Sequence, residues 1–465
     1  MSEPAHSGLP QPRRKQAIIA ISLGTALLVV DNSIATVALP TIAENLGVTA
    51  AASVSVVTVY QLVLLMAILP FSALGDRIGH KRLYQSGQML FLAASLASAL
   101  ATNLPFLLLA RATQALGVAA ALSVSSALLR KIYPSTGLGR GFGLNSIIIA
   151  SSAAFAPTIG GLILAQGAWQ WVFAAAAPFA ALSLALGRSL PTSAPSRAPY
   201  DLVGAAGFAL VSGSLITGLQ AVVGGQFEAI TALLITFGLI GGVLFVQRER
   251  RQAHPILPVD LLSRPIFALS TSAALAAFTA SMCFLLSLPF RLKTNLGMEP
   301  AQIGLLMAAW PLAMMVVAPF AGRLSDKASK GLLGGLGMTT AALGLILMGF
   351  AGAEATTARL AIFLAIGGAG FGLFAAPNAH QIVSSAPPHR TASAGALVST
   401  TRLVGSTLGA TVLASLLVLG FGDNSTPSLA AAIFAGIGAL CSFTNLIFSR
   451  HSDSHPNAEP DHAPL

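Results

Sequence analysis

The sequence predicts an all-helical integral membrane protein of fourteen transmembrane helices, and three observations carry that prediction. Hydrophobic residues make up 55% of the 465-residue chain and charged residues only 9%, where a soluble domain carries about 25% charged residues. The apolar residues gather into runs close to the ~20 that a helix needs to cross a bilayer. The basic residues segregate as well. With the N-terminus on the cytoplasmic side, twenty Lys and Arg fall in inside segments and three (Arg291, Lys293 and Arg359) outside, as the positive-inside rule requires. Only an even number of spans keeps that alternation in register.

Taken in order, residues 1–16 form a polar cytoplasmic tail ending in Arg13, Arg14 and Lys15. The first span, 17–39, is too long for a signal peptide and contains Asp31, and no clean small-residue cleavage site follows it, so it is read as retained. Spans at 51–73, 84–101, 103–128, 141–164 and 170–187 complete an N-terminal bundle of six over 17–190. The third and fourth are separated only around Asn103 and Pro105. Residues 191–265 hold a linker, Pro191–Pro199, two extra spans at 201–222 and 228–247, and a cytoplasmic connector containing Arg248, Glu249, Arg250 and Arg251. Spans at 266–290, 301–321, 331–351, 357–380, 391–418 and 428–448 form the C-terminal bundle, 266–448, before a cytoplasmic tail, 449–465. Gly and Ala are abundant throughout, and small residues let membrane helices approach closely.

An internal repeat organises these spans. The second ends in Ser72-Ala73-Leu74-Gly75-Asp76-Arg77-Ile78-Gly79-His80-Lys81-Arg82, and the tenth in Gly322-Arg323-Leu324-Ser325-Asp326-Lys327-Ala328-Ser329-Lys330. The shared pattern, a small residue followed four positions later by Asp and a base, marks two related halves with a substrate site expected between them.

Composition also excludes several classes. The sequence pI of about 10.3 could suggest nucleic acid, but the bases are spread over short loops and are topogenic. Cys283 and Cys441 lie in separate apolar spans, and the eight histidines show no ligand spacing beyond His451 and His455 in the tail. No disulfide framework or metal site follows. The chain has no G-x-x-x-x-G-K-[ST] loop, so no cofactor is expected and the proton gradient is the natural energy source.

Asp31 is the one acidic residue inside an apolar span. A carboxylate at that depth costs roughly 2.5–3.5 kcal/mol on insertion scales unless protonated or paired. It is either a helix-packing hydrogen bond or a proton or cation site. Asp31 and Arg111 both lie about 12–14 Å below the outer boundary at 1.5 Å per residue, so a charge pair is possible if their helices are neighbours. Asp76 ends the second span, where a carboxylate is unfavourable unless paired elsewhere. With Arg77, Gly79 and Asp326 it is a gating candidate, able to latch onto the helix that begins near Thr391. Pro157, Gly160 and Gly161 can kink a helix and let another pack close. Tyr60 and Trp310 lie at mid-depth, where a ring can meet a flat organic cation. Arg402 either positions a helix or faces the cavity.

Several of these segments together resemble one family. Val30-Asp31-Asn32-Ser33-Ile34-Ala35-Thr36-Val37-Ala38-Leu39-Pro40 is similar to the first-helix motif of the fourteen-span drug:proton antiporters of the major facilitator superfamily, which include quaternary-ammonium and methyl viologen exporters. Gly75–Arg82 resembles the superfamily's cytoplasmic loop motif, with Ser72 where its leading Gly stands. Arg111-Ala112-Thr113-Gln114-Ala115-Leu116-Gly117 resembles the fourth-helix motif. Ala156-Pro157-Thr158-Ile159-Gly160-Gly161 resembles the fifth-helix antiporter motif, with Ala156 in place of Gly. Trp169-Gln170-Trp171-Val172-Phe173 and Thr401-Arg402-Leu403-Val404-Gly405 are also similar to family segments, with Gln170 and Ala176 where Arg and Asn are typical.

The resemblance implies a major facilitator fold of two six-helix bundles plus two inserted helices, alternating access across a bacterial-type inner membrane with both termini cytoplasmic. It implies proton-coupled export of hydrophobic, cationic compounds. Asp31 and Arg111 would couple, and the partners would be protons, a small-molecule substrate such as a lipophilic cation, and the lipid bilayer, with no nucleic acid. A proton-coupled uptake symporter is the nearest alternative. A polytopic enzyme is a further one, though it would need a His or carboxylate cluster near one membrane face.

Overall fold

The structure, a computed structural model, describes residues 8–133, 138–192, 201–223, 228–252, 260–325, 327–352, 354–386, 391–422 and 424–454. Asp326 and the linker residues 193–199 lie outside them. In the N-terminal half the helices are α1 (Arg13–Leu46), α2 (Ala50–Ile78), α3 (His80–Ala99), α4 (Leu104–Ile132), α5 (Leu138–Gln166), α6 (Trp171–Ala174) and α7 (Ala177–Leu186). An inserted pair follows, α8 (Leu202–Val223) and α9 (Ala229–Glu249). The C-terminal half comprises α10 (Pro265–Leu296), α11 (Pro300–Met307), α12 (Ala309–Leu324), α13 (Lys330–Gly349), α14 (Thr357–Ser384), α15 (Thr391–Val418) and α16 (Thr426–Ser454).

These rods occupy the fourteen expected spans, two of them interrupted. Pro178 has no N–H for the carbonyl of Ala174, and Pro311 none for Met307. The sixth span accordingly divides into α6 and α7, and the tenth into α11 and α12. Twelve of the spans are long and apolar enough to cross a membrane among the described residues; α3 and α5 occupy the remaining two positions. Several helices outrun the predicted spans. The first begins at Arg13 rather than residue 17 and runs to Leu46, and the last continues through Ser454 into the predicted tail.

The two halves repeat one packing scheme. In the first, α1 packs on α5 and α7, and α4 packs on α2 and α3; in the second, α10 packs on α15 and α16, and α14 packs on α12 and α13. The repeat extends to single residues. The first helix of each half ends on a left-handed glycine, Gly47 at φ 62° and Gly297 at φ 58°, a conformation that suits a residue without Cβ. Within each half glycines set the closest crossings. A Cβ on Gly117 would stand 2.7 Å from the Gly87 carbonyl, and one on Gly337 would stand 2.7 Å from that of Gly370.

The halves meet along α5 with α11 and α12, α2 with α15, and α1 with α10 and α11, and the inserted pair rests on α2 and α15 through α8. The charge-poor end, where α1 and α10 finish, is closed. There a Cβ on Gly304 would lie 2.2 Å from the Pro157 carbonyl and one on Gly161 2.4 Å from that of Pro300. Glu44 and Lys293 form an ion pair across the seam at 2.5 Å.

Candidate functional site

Three helices of the N-terminal half converge on Asp31. Arg111 Nη1 donates to Asp31 Oδ2 at 2.6 Å and to Gln114 Oε1 at 2.6 Å. Gln114 Nε2 donates to Asp31 Oδ1 at 2.8 Å, and Arg111 Nε to the Val56 carbonyl at 3.3 Å. Residues three apart share a helix face, which is why Arg111 and Gln114 reach the carboxylate together. The guanidinium lies over the Tyr60 ring, 4.2 Å from its centroid, and 5.3 Å from that of Phe173. Asp31 is 3% exposed and Arg111 not at all, so the pair is sealed in a medium where each charge alone would be expensive. Arg111 Nη2 and the Tyr60 hydroxyl remain buried with no hydrogen-bond partner among the described residues.

The equal depth of Asp31 and Arg111 therefore corresponds to a direct contact. Tyr60 sits beneath Arg111 and is not part of the cavity wall, while Gln114 and Phe173 complete a cluster in which they had no assigned part. Gln114 carried a signal, being one turn from Arg111 on the same face. Phe173 carried only its place in the family-like segment Trp169–Phe173, with no role attached. Each Asp31 oxygen accepts one of these bonds, Oδ2 from Arg111 and Oδ1 from Gln114.

A cavity of about 210 Å³ opens between the halves. Asn32, Ser33 and Thr36 line it from α1, Pro157 from α5, and Trp310, Phe278 and Phe371 from the C-terminal half. Asp31 thus turns to α4 while its neighbour Asn32 faces the cavity, and Asn32 Oδ1 has no partner among the described residues. Trp310 packs on Phe284 at 5.6 Å and Phe371 at 6.3 Å between centroids, and Phe278 meets Phe371 edge-on at 5.4 Å. Such a wall accepts flat apolar groups without a directional partner.

A sequence profile of the Major Facilitator Superfamily matches residues 21–246, 202–410 and 269–464. The chain belongs to the major facilitator superfamily. It is 42% identical over 440 residues to the uncharacterized transporter YebQ of Escherichia coli (strain K12), covering 94% of this chain and 96% of that one. It is 29% identical over 422 residues to the multidrug resistance protein Stp of Mycobacterium tuberculosis (strain CDC 1551 / Oshkosh), covering 90% of this chain and 78% of that one. A crystal structure of peptide transporter POT in complex with sulfate shares the fold, with a TM-score of 0.72 at 17% identity over 94% of each chain.

The remaining candidates lie along the seam and at the loop ends. Pro157, Gly160 and Gly161 sit where α5 meets its neighbours. Gly160 packs on Ile34 and Gly161 on Pro300 and Gly304, and Thr158 Oγ1 donates to the Gly304 carbonyl at 3.3 Å. Asp76 accepts from the His80 ring at 2.8 Å across the joint between α2 and α3, and its side chain is 65% exposed. Its resolved partner is thus one turn away, on the same half. Gly79 makes that joint at φ 98°, which a side chain would strain. Arg77 is exposed beside it. Arg402, on α15, is also exposed, although Thr400, Thr401 and Leu403 around it are buried.

Proposed function

We propose that this chain is a proton-coupled secondary transporter that exports hydrophobic organic compounds by alternating access between its two halves. The observation that carries this reading is the sealed Asp31–Arg111–Gln114 cluster, which abuts the cavity through a single helix. A proton on Asp31 removes the charge that holds Arg111. It weakens the tie that Arg111 makes between α1, α4 and, through the Val56 carbonyl, α2. Because Asn32, Ser33 and Thr36 of α1 line the cavity, any shift of α1 against α4 alters the wall that the substrate meets. Proton and substrate are thereby linked, each changing the other's affinity. Similarity to Stp, whose name describes multidrug resistance, supports export of hydrophobic compounds.

Closure at the charge-poor end corresponds to one of the two access states. The exposed carboxylate of Asp76 is available to latch the opposite end in the other state. The test is efflux of a fluorescent hydrophobic compound from proteoliposomes, with a proton gradient imposed in either direction. Wild-type protein is expected to drive efflux only against an opposing proton gradient, and Asp31→Asn to insert normally yet lose the gradient dependence. Unchanged gradient-driven efflux by well-inserted Asp31→Asn would remove Asp31 from coupling. Accumulation in the same direction as the protons would make the protein an uptake symporter.

A further inference from the structure

Four described charged side chains lie within the helical body rather than at a helix end or in a connection, and three of them are paired or hydrogen-bonded. Asp31 and Arg111 hold each other. Arg291 donates to the carbonyls of Met348, Gly349 and Ala351 at 2.7, 3.2 and 2.8 Å. Arg402 stands eleven residues into α15 and has no ion pair, hydrogen bond or ring contact among the described residues. An unpaired cation facing lipid at that depth costs several kcal/mol, so such groups face a cavity instead.

The packing of α15 shows which way Arg402 points. Gly405 abuts the Leu275 carbonyl and Phe278 Cβ of α10. Leu403 belongs to the apolar cluster that holds Leu64, Leu65 and Leu69 of α2. α15 packs on α10 of its own half and on α2 of the other, and at about 100° per residue Arg402 falls between Gly405, set against α10, and Leu403, so it turns toward the space between the halves. The side chain keeps accessible surface although Thr400, Thr401 and Leu403 beside it are buried, as a residue on a cavity wall does.

Arg402 is also one helical turn from the aromatic wall. Phe278, against which Gly405 packs, lines the cavity with Trp310 and Phe371. At 210 Å³ the cavity falls below the ~300–1,000 Å³ of usual small-molecule sites, so a drug-sized compound seated there must project beyond it. Every acidic side chain among the described residues other than Asp31 sits at a helix end or in a connection. Nothing among the described residues neutralises Arg402, and the planar guanidinium fork matches a carboxylate in shape as well as charge.

The geometry points to an anion subsite: Arg402 binds the carboxylate, or a similar planar anionic group, of an aromatic substrate whose rings lie against Trp310, Phe278 and Phe371. This rests on the reading of the chain as a transporter with its binding site between the halves, and it replaces the lipophilic cation of the sequence analysis with an amphipathic anion. The substrate would be the counter-ion that the fold leaves out.

The experiment compares three probes of one ring system with purified wild-type protein: pyrenebutyrate, pyrenebutyramide and a pyrene trimethylammonium. Equilibrium binding and proton-gradient-driven transport are measured for each. Wild type is expected to bind the carboxylate about tenfold tighter than the amide, the scale of one charge-assisted hydrogen-bonded contact, and the ammonium most weakly. Arg402→Gln should remove most of that preference and Arg402→Lys restore part of it, with amide binding reporting that each variant is folded. Equal binding of carboxylate and amide by wild type, or an undiminished preference in Arg402→Gln, overturns the subsite. A wild type that transports the amide or ammonium on a proton gradient without favouring the carboxylate overturns the subsite alone. If wild type binds and transports none of the three, the transporter reading falls with it.

Discussion

The two halves of the molecule place different chemistry at corresponding positions. Gly47 and Gly297, Tyr60 and Trp310, and Asp76 and Asp326 are each 250 residues apart, so the first two helices of each half can be compared residue by residue. At that offset Asp31 corresponds to Ser281. Counting from the helix caps Asn103 and Thr356, Arg111 corresponds to Leu364 and Gln114 to Gly367. The N-terminal half has a carboxylate, a guanidinium and an amide where the C-terminal half has a hydroxyl, a leucine and a glycine. The aromatic partners differ accordingly. Tyr60 lies under a guanidinium at 4.2 Å, whereas Trp310 lies against the bare backbone of Gly367, where a Cβ would be 2.4 Å from the ring. Ser281 and Trp310 line the cavity, and Asp31 and Tyr60 do not. A duplicated scaffold thus carries a buried ion pair on one side and an aromatic cavity wall on the other, because a buried charge must be sealed with its partner while an aromatic wall needs none.

The largest effect is expected from breaking the ion pair. Arg111→Leu strands Asp31 in an apolar interior, a change that costs about 3–5 kcal/mol in comparable buried pairs. The double variant Asp31→Asn/Arg111→Leu should regain much of the lost thermal stability in detergent, yet transport should stay absent in both. A double variant no more stable than Arg111→Leu alone would mean that the pair does not hold the N-terminal half together.

Trp310→Ala should come next, with a loss of about 3 kcal/mol for a buried large-to-small change and weaker substrate binding. Tyr60→Phe removes only a hydroxyl that has no partner among the described residues and keeps the ring under Arg111, so it should leave stability within about 1 kcal/mol. Equal losses for the two changes would erase the distinction between wall and ion pair.

The seam between the halves offers a third comparison. Gly304→Val would drive side-chain atoms into the Pro157 carbonyl, where a Cβ alone would be 2.2 Å away, and overpacking of this kind costs about 1–3 kcal/mol. The closed charge-poor end should open. A cysteine placed at Asn32, with Cys283 and Cys441 replaced, should then react faster with an impermeant maleimide added from that side. Unchanged labelling would show that the α5–α11 crossing is not what closes that end.

The smallest effect is expected in the inserted pair, outside the repeat. The Asp201 carboxyl is held below its ordinary value of 3.8 chiefly by the Arg248 hydrogen bond, aided by the Gly204 N–H. Its contribution is therefore present above that value and is lost as the pH falls through the lower, folded one. Because the pair is partly exposed, the contribution is about 1 kcal/mol or less. Asp201→Asn should be slightly less stable than wild type at neutral pH, with the two converging in strong acid. A gap that widened on acidification would contradict the sign.

Much of this was legible in the residues themselves. Apolar runs placed the helical rods, because a bilayer demands about 20 apolar residues per crossing, but they missed the breaks at Pro178 and Pro311 and the full lengths of helices such as the first and the last. The Asp-basic repeat at Asp76 and Asp326 disclosed the duplication. Asp31 and Arg111 announced themselves because charge in an apolar span is rare, and the rise of a helix put them at one depth. What tertiary structure decided was direction. Lipid is as apolar as a protein core, so these helices are apolar all round and lack the polar face that tells inside from outside in a soluble helix. Tyr60 and Trp310 look alike in sequence, yet one supports an arginine and the other lines a cavity. Arg402 could have been a packing residue. The orientation proposed for it rests on the contacts of Gly405 with α10 and of α15 with α2, since helix rotation is set by neighbours distant in the chain.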